Sequence, residues 1–256
     1  MKGCIKLIFL VTFVNAVIAT DYCSKDICKE GDTHVACNNE GKFSPNCPSD
    51  AELREITEPL KNLIVQTHNE KRNTIAAGGG DLKPVCRMAT MEWDEELASL
   101  AKLNVLKCEM EHDKCHNTDA FKHSGQNLAD IGFLETANDT DSILQSIDLW
   151  FNEKKNVKQN IIDKFPRDYA GPMIGHFTAL ASDRNIRVGC AASTYTVAGK
   201  DFKDYLFACN YAATNMVDFP IYKSCDKPAA ECQSGTNPSY ENLCSTSESY
   251  DVNKYY

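Results

Sequence analysis

Beyond its first twenty residues the sequence lacks any apolar run long enough to cross a bilayer. Positive charge is also scarce, with 27 Lys and Arg against 36 Asp and Glu and a net charge of −9. That balance does not suit a phosphate backbone or an anionic lipid surface, so nucleic acid is excluded as the default partner. No Gly-x-Ser-x-Gly elbow and no phosphate-cradling loop occurs; Gly78-Gly79-Gly80 follows a helical pattern and precedes none, as a connector does. Acyl transfer from an activated serine and P-loop chemistry therefore have no support. There is also no Arg-Gly-Asp tripeptide to block an integrin, no internal repeat and no low-complexity tract.

What is present begins with a leader. Lys2 and Lys6 flank the apolar run Leu7 to Val14, Asn15 interrupts it, and Val17-Ile18-Ala19 precedes a cleavage point. Residues 1–19 are therefore expected to be a signal peptide, and the mature chain to be secreted, extracellular and without a membrane span. Cysteine usage agrees. Of 13 cysteines, Cys4 lies in the leader, and the remaining 12 suffice for six disulfides with no free thiol. With 43% hydrophobic residues the chain can also bury a real core, which the bridges would staple. Asn138-Asp139-Thr140, in a polar stretch suited to a surface loop, is the one glycosylation triplet, because Pro238 spoils Asn237-Pro238-Ser239.

Residues 20–50 are rich in Cys, Gly, Asn, Ser and Pro and read as a loop-rich arm pinned by Cys23, Cys28, Cys37 and Cys47. Leu60, Leu63, Ile64 and Thr67 fall at helical spacing, with Pro59 in the first turn and the glycine run as a stop. Trp93, Leu97, Leu100 and Ala101 predict a second helix from about Met91 to Cys108. Ile143, Ile147, Trp150 and Phe151 predict a third over Ser142 to Val157, capped by Asp141 or Ser142. Arg187 to Val197 and Asp204 to Ala212 read as a hairpin across which Cys190 and Cys209 could face each other. Residues 218–256 read as a polar tail containing Cys225, Cys232 and Cys244, with the last dozen residues disordered.

The chemistry-bearing residues are histidines. His112 lies in Cys108-x3-His112-x2-Cys115 and His176 in Gly175-His176-Phe177-Thr178, while Glu153 flanks the apolar face of the third helix. Two imidazoles and a carboxylate form an open metal site when they converge; otherwise these are hydrogen-bonded pocket residues.

Five ordered strings, Gly125-Gln126-Asn127-Leu128, Trp150-Phe151-Asn152-Glu153, Gly175-His176-Phe177-Thr178, Val188-Gly189-Cys190 and Phe207-Ala208-Cys209-Asn210-Tyr211, resemble the CAP superfamily of secreted proteins. His68-Asn69 with Arg72 resembles its first-helix signature, a structural role. The cysteine-rich start and the span Tyr22 to Ala213 are most similar to insect antigen 5, the allergen class of venom and fly saliva. The resemblance implies an α+β fold, an α-β-α sandwich with a three- or four-stranded antiparallel sheet between helices, over residues 51–217. It also implies a cleft lined by His112, Gln126, Glu153 and His176. Many relatives carry Glu where Gln126 stands, and an amide offers a neutral carbonyl in place of an anion. Any divalent metal such as Zn²⁺ should then bind weakly, more tightly after Gln126→Glu, and no cofactor is required. Ser182 stands near a position where many relatives have Trp, and Asn215 lacks the usual preceding Gly. By the same resemblance Cys23 pairs with Cys37, Cys28 with Cys115, Cys47 with Cys108 and Cys190 with Cys209, leaving Cys86, Cys225, Cys232 and Cys244 to pair in an open order.

The function implied is non-enzymatic sequestration of a small ligand, a lipid or an extracellular host protein. Metal-dependent hydrolytic or redox activity at the cleft and lipid or sterol carriage are the alternatives.

Overall fold

Two long runs of β-branched, aromatic and small residues fix the centre of the molecule. The computed structural model describes residues 20–255, so the expected leader over 1–19 lies outside the described residues. Strands β4 (Arg187–Thr196) and β5 (Lys203–Tyr211) form an antiparallel hairpin with Cys190 opposite Cys209. On the other side of β5 lies β3 (Gly125–Phe133), with Gln126 opposite Asn210. Strand β1 (Glu52–Arg54) closes the far edge antiparallel to β4, and the two-residue β2 (Glu92–Trp93) joins β4 in parallel. The order β1-β4-β5-β3 leaves β3 at an edge.

Side chains alternate across this sheet with a period of two. Ala129, Ile131, Val188, Ala192, Tyr205, Phe207 and Tyr211 enter one core. It is shared with helices α1 (Glu58–Ala76), α3 (Asp139–Asn152) and α5 (Gly175–Ala181) and with the short α4 (Gln159–Asp163). Leu128, Ala191, Leu206 and Ala208 enter a second core with Ala101 and Val105 of α2 (Glu95–Val105). Both faces are covered, so the architecture is an α-β-α sandwich, and the strands read as nearly continuous apolar runs because neither face meets water. At Gly189 a Cβ would sit 2.1 Å from the Ala98 nitrogen, so only glycine lets α2 lie this close to β4.

Capping moves two helix boundaries from where periodicity predicts them. Asp94 accepts a bond from the Leu97 N–H (2.9 Å), which starts α2 there and leaves Glu92 and Trp93 extended. Asn138, rather than Asp141 or Ser142, caps α3 by accepting from the Asp141 N–H (3.2 Å), and beyond Asn152 the chain tightens into a 3₁₀ turn over Glu153–Asn156.

The first-helix signature is structural. Arg72, fully buried, donates to the carbonyls of Ala89, Leu180, Ser182 and Asp183. Asn69 exchanges two bonds with the Met91 backbone. Asn215 donates to the Gly175 carbonyl (2.9 Å) and Thr178 Oγ1 (2.6 Å), tying down the start of α5, while buried Ser182 lends its carbonyl to Arg72.

Six disulfides join Cys23–Cys37, Cys28–Cys115, Cys47–Cys108, Cys86–Cys225, Cys190–Cys209 and Cys232–Cys244. The tail departs from the disorder read in its sequence. After the small hairpin β6 (Thr236–Asn237) and β7 (Tyr240–Cys244), Glu248 accepts from Arg87 Nε (2.6 Å) and from the N–H groups of Gln233 and Ser234. Val252 is buried with Leu97, Phe121 and Ala212, and the Arg87 guanidinium covers the Tyr250 ring. These contacts have no period because the tail forms no regular element here; single side chains anchor it. No helix among the described residues is long and apolar enough to cross a membrane.

Candidate functional site: a histidine cleft around the edge strand

The cleft forms where the start of β3 meets the loop after α2 and the start of α5. Gln126 and Asn127 are consecutive on an edge strand, so they point to opposite faces and serve opposite walls. Gln126 Oε1 lies 3.0 Å from His112 Nδ1, and Asn127 Nδ2 donates to the His176 carbonyl (3.1 Å). The two imidazoles stand with ring centroids 6.5 Å apart. His112 is exposed at the lip and His176 is half-buried.

Glu153, on the 3₁₀ turn after α3, faces His176. Its Oε1 lies 2.7 Å from His176 Nδ1 and its Oε2 accepts from the Phe177 N–H (3.0 Å). Trp150, one turn earlier, donates its indole N–H to the Leu128 carbonyl (2.9 Å) and stacks between Phe207 and His176. The His176 ring is thus held by an edge contact and a face contact at once.

These contacts determine the chemistry available. Each Nδ1 faces an oxygen acceptor, so in the neutral rings Nδ1 carries the hydrogen and Nε2 carries the lone pair. Both oxygens of Glu153 are engaged, which places that carboxylate behind His176 as an orienting group. The expected set of two histidines and one carboxylate is therefore reduced to two imidazole nitrogens, each backed by an oxygen acceptor. Each ring thus keeps its Nε2 lone pair, a donor able to take a cation or a hydrogen bond. Elsewhere among the described residues, the ligand atoms of Cys86, Cys225 and Glu231 lie within 4.8 Å of one another, but the two sulfurs are joined as a disulfide and form no metal centre.

Two groups that sequence reasoning did not single out complete the cleft. Asp113 accepts from Gln126 Nε2 (2.7 Å) and Asn210 Oδ1 accepts from the same nitrogen (3.0 Å). Asn210 could have been found from its place in the Cys209-Asn210-Tyr211 string; Asp113 offered no signal except adjacency to His112. Behind the cleft, buried His68 bridges the Ile64 carbonyl (2.8 Å) and the Tyr211 hydroxyl (2.9 Å), and Asn127 approaches that hydroxyl from the other side. Burial pushes the Tyr211 hydroxyl far above its ordinary value, so it remains a neutral phenol.

The chain is similar to known proteins over most of its length. The chain is 38% identical over 258 residues to venom allergen-1 of Aedes albopictus, covering 99% of this chain and 98% of the relative. It is 39% identical over 196 residues to the antigen 5 like allergen Cul n 1 of Culicoides nubeculosus, covering 73% and 89%. In fold it resembles the crystal structure of NaASP2 with Zn²⁺, at a TM-score of 0.62, 22% identity and coverage of 78% and 100%. Residues 65–211, which carry every wall of the cleft, match the sequence model of the Cysteine-rich secretory protein family. A sandwich whose edge strand, third helix and fifth helix bring Gln126, Glu153 and His176 round one cleft, in a chain related along its whole length to insect venom allergens, belongs to the CAP family.

Proposed function

We propose that this chain is a secreted, non-enzymatic effector of the antigen 5 type that works by binding an extracellular partner, with the histidine cleft as a weak, open divalent-cation site on its binding surface. One observation carries the reading: His112 and His176 approach each other across the cleft with both Nδ1 atoms committed to acceptors. Two imidazole ligands leave most of the coordination sphere to water or to a partner's donor group. Relatives named venom allergen-1 and antigen 5 like allergen support an extracellular role. A bound cation would supply a Lewis-acidic docking point; the protein's part is to hold two nitrogens in register.

Calorimetric titration with Zn²⁺ tests this. Wild type is expected to bind weakly, to release the ion on acidification as protons compete for the same nitrogens, and to lose binding in the His112→Ala/His176→Ala variant. A double variant that binds as well as wild type would remove the cleft from the reading. Turnover of ester or peptide substrates by the Zn²⁺-loaded protein, lost in the same variant, would instead establish the enzymatic alternative.

A further inference from the structure

The Gln126 amide is satisfied on every side in a pattern that admits one orientation. Its oxygen meets two groups, the backbone N–H of Asp113 (3.1 Å) and His112 Nδ1 (3.0 Å). Its nitrogen meets two acceptors, Asp113 Oδ2 (2.7 Å) and Asn210 Oδ1 (3.0 Å). A backbone N–H cannot accept and a carboxylate cannot donate, so turning the amide over would oppose like groups at both ends. The Asp113 carboxylate is itself nearly fully buried, and its other oxygen pairs with Lys107 Nζ at 2.9 Å.

We propose that the negative charge on the His112 wall of this cleft resides on Asp113 and reaches His112 through the Gln126 amide, so that position 126 requires an amide as long as residue 113 is a carboxylate. Gln126 is then a positioning residue: its oxygen holds hydrogen on His112 Nδ1 and leaves Nε2 free to ligate. The expectation that Gln126→Glu would strengthen cation binding is accordingly reversed. A Glu carboxylate in place of the amide nitrogen would face Asp113 Oδ2 at hydrogen-bond distance, and Asn210 Oδ1 beside it, with no hydrogen available to either contact. Asp113→Asn fails for the opposite reason. Its oxygen turns to the Lys107 ammonium, an obligate donor, and its NH₂ then opposes the NH₂ of Gln126. In the exchanged pair Gln126→Glu/Asp113→Asn the contacts match again. The amide now at position 113 turns its oxygen to Lys107 and donates from its NH₂ to the carboxylate now at position 126, whose other oxygen meets His112 and the backbone N–H.

The test is a double-mutant cycle over these two positions, with two readouts. The inference deepens the proposed cation site and rests on it only for the first, calorimetric titration with Zn²⁺. The second is the His112 tautomer in metal-free protein, read from ¹⁵N imidazole spectra at mildly alkaline pH. Wild type should show hydrogen on Nδ1. Each single variant should lose that signature and bind Zn²⁺ about 10- to 100-fold more weakly, the range for removing a group that orients a histidine ligand. The double variant should regain the signature and most of the affinity, short of wild type by the Asn210 contact. If a single variant does not fold, recovery of folding in the double is the same coupling read another way. Losses that simply multiply, tighter Zn²⁺ binding by Gln126→Glu alone, or hydrogen on Nε2 in wild type would each overturn the relay. Should wild type bind no Zn²⁺ at all, the cation site falls, while the tautomer pattern still decides the relay.

Discussion

Acid should unfold this protein through a histidine that lies outside the cleft. His68 is fully buried, donates from Nδ1 to the Ile64 carbonyl and accepts at Nε2 from the Tyr211 hydroxyl. Burial, with repulsion from the Arg72 guanidinium one turn along α1, pushes its pKa down to about 4, although the bond to the Ile64 carbonyl offsets part of this. In the unfolded chain the ordinary value of about 6.5 returns. Because the folded value is the lower one, stability is intact above about pH 6.5 and is lost as pH falls towards 4, the unfolded state binding the extra proton. Near pH 5 the difference is about 0.9 proton, a slope of about 1.2 kcal/mol per pH unit, and between pH 7.5 and pH 5 the loss is about 2 kcal/mol. Against a typical total of about 5–15 kcal/mol, that is readily measured.

Urea unfolding of the oxidised protein at several pH values between 7.5 and 4.5 provides the assay, with His68→Gln as control. The variant should start less stable and show a shallower pH dependence by about the amount above. His116 and His34 are lowered by burial in the same direction, so some slope survives in the variant. Identical slopes in the two proteins would refute the assignment to His68. A flat wild-type profile would refute the burial argument altogether.

Arg72→Met should cost at least about 3 kcal/mol, because the carbonyls of Ala89, Leu180 and Ser182 lose their donor at about 1–3 kcal/mol each; thermal unfolding reads the loss, and a shift under 1 kcal/mol would contradict it. Val252→Asp should lower stability by about 2 kcal/mol or more through its contacts with Leu97 and Phe121, whereas a disordered tail would leave the melting curve unmoved. Replacing both cysteines of Cys28–Cys115 by Ser should cost about 1.8 kcal/mol more than replacing those of Cys232–Cys244, since the closed loops span 87 and 12 residues; denaturant unfolding of the two variants gives the comparison, and the reverse order would refute the chain-entropy account.

Much of this fold is legible in the sequence, for identifiable reasons. β4 and β5 are buried on both faces, so their apolar runs are dense enough to read without alternation. α1 and α3 bury one stripe each, which leaves the 3.6-residue spacing visible. The start of α2 is less legible because Trp93 continues the helical spacing backwards while Asp94 caps the helix one residue later. The order of the last two disulfides is invisible because it depends on where β7 packs, and that is set by contacts such as the Asn242 N–H to Asn73 Oδ1 on α1 (3.0 Å). Glu153 and His176 stand in strings that mark them, but no string shows that the carboxylate points at Nδ1. Nor does anything in Glu111-His112-Asp113 show that the acid turns back onto residue 126.

The two histidines reach the cleft by different physical means, and this determines what each wall depends on. His176 is carried by a helix and fixed by packing, with Trp150 on its face and Glu153 at its edge, so its position is as stable as the main core. His112 lies in a stretch from Leu106 to Ser124 with no helix or strand, tied by isolated backbone bonds such as Val35 N–H to the Cys115 carbonyl (2.9 Å) and Thr118 N–H to the Phe121 carbonyl (3.0 Å). Covalent bonds reinforce them. Cys47–Cys108 fastens the chain four residues before His112 and Cys28–Cys115 three residues after it, and both run to the N-terminal arm. Within that short tether the remaining freedom is local, and the Gln126 amide removes it by taking the His112 ring, the Asp113 N–H and the Asp113 carboxylate together. The arm from residue 20 to residue 50 therefore acts on the cleft through the two disulfides on either side of His112. It fixes one wall through sulfur, and the sheet edge then aims that wall through a single amide.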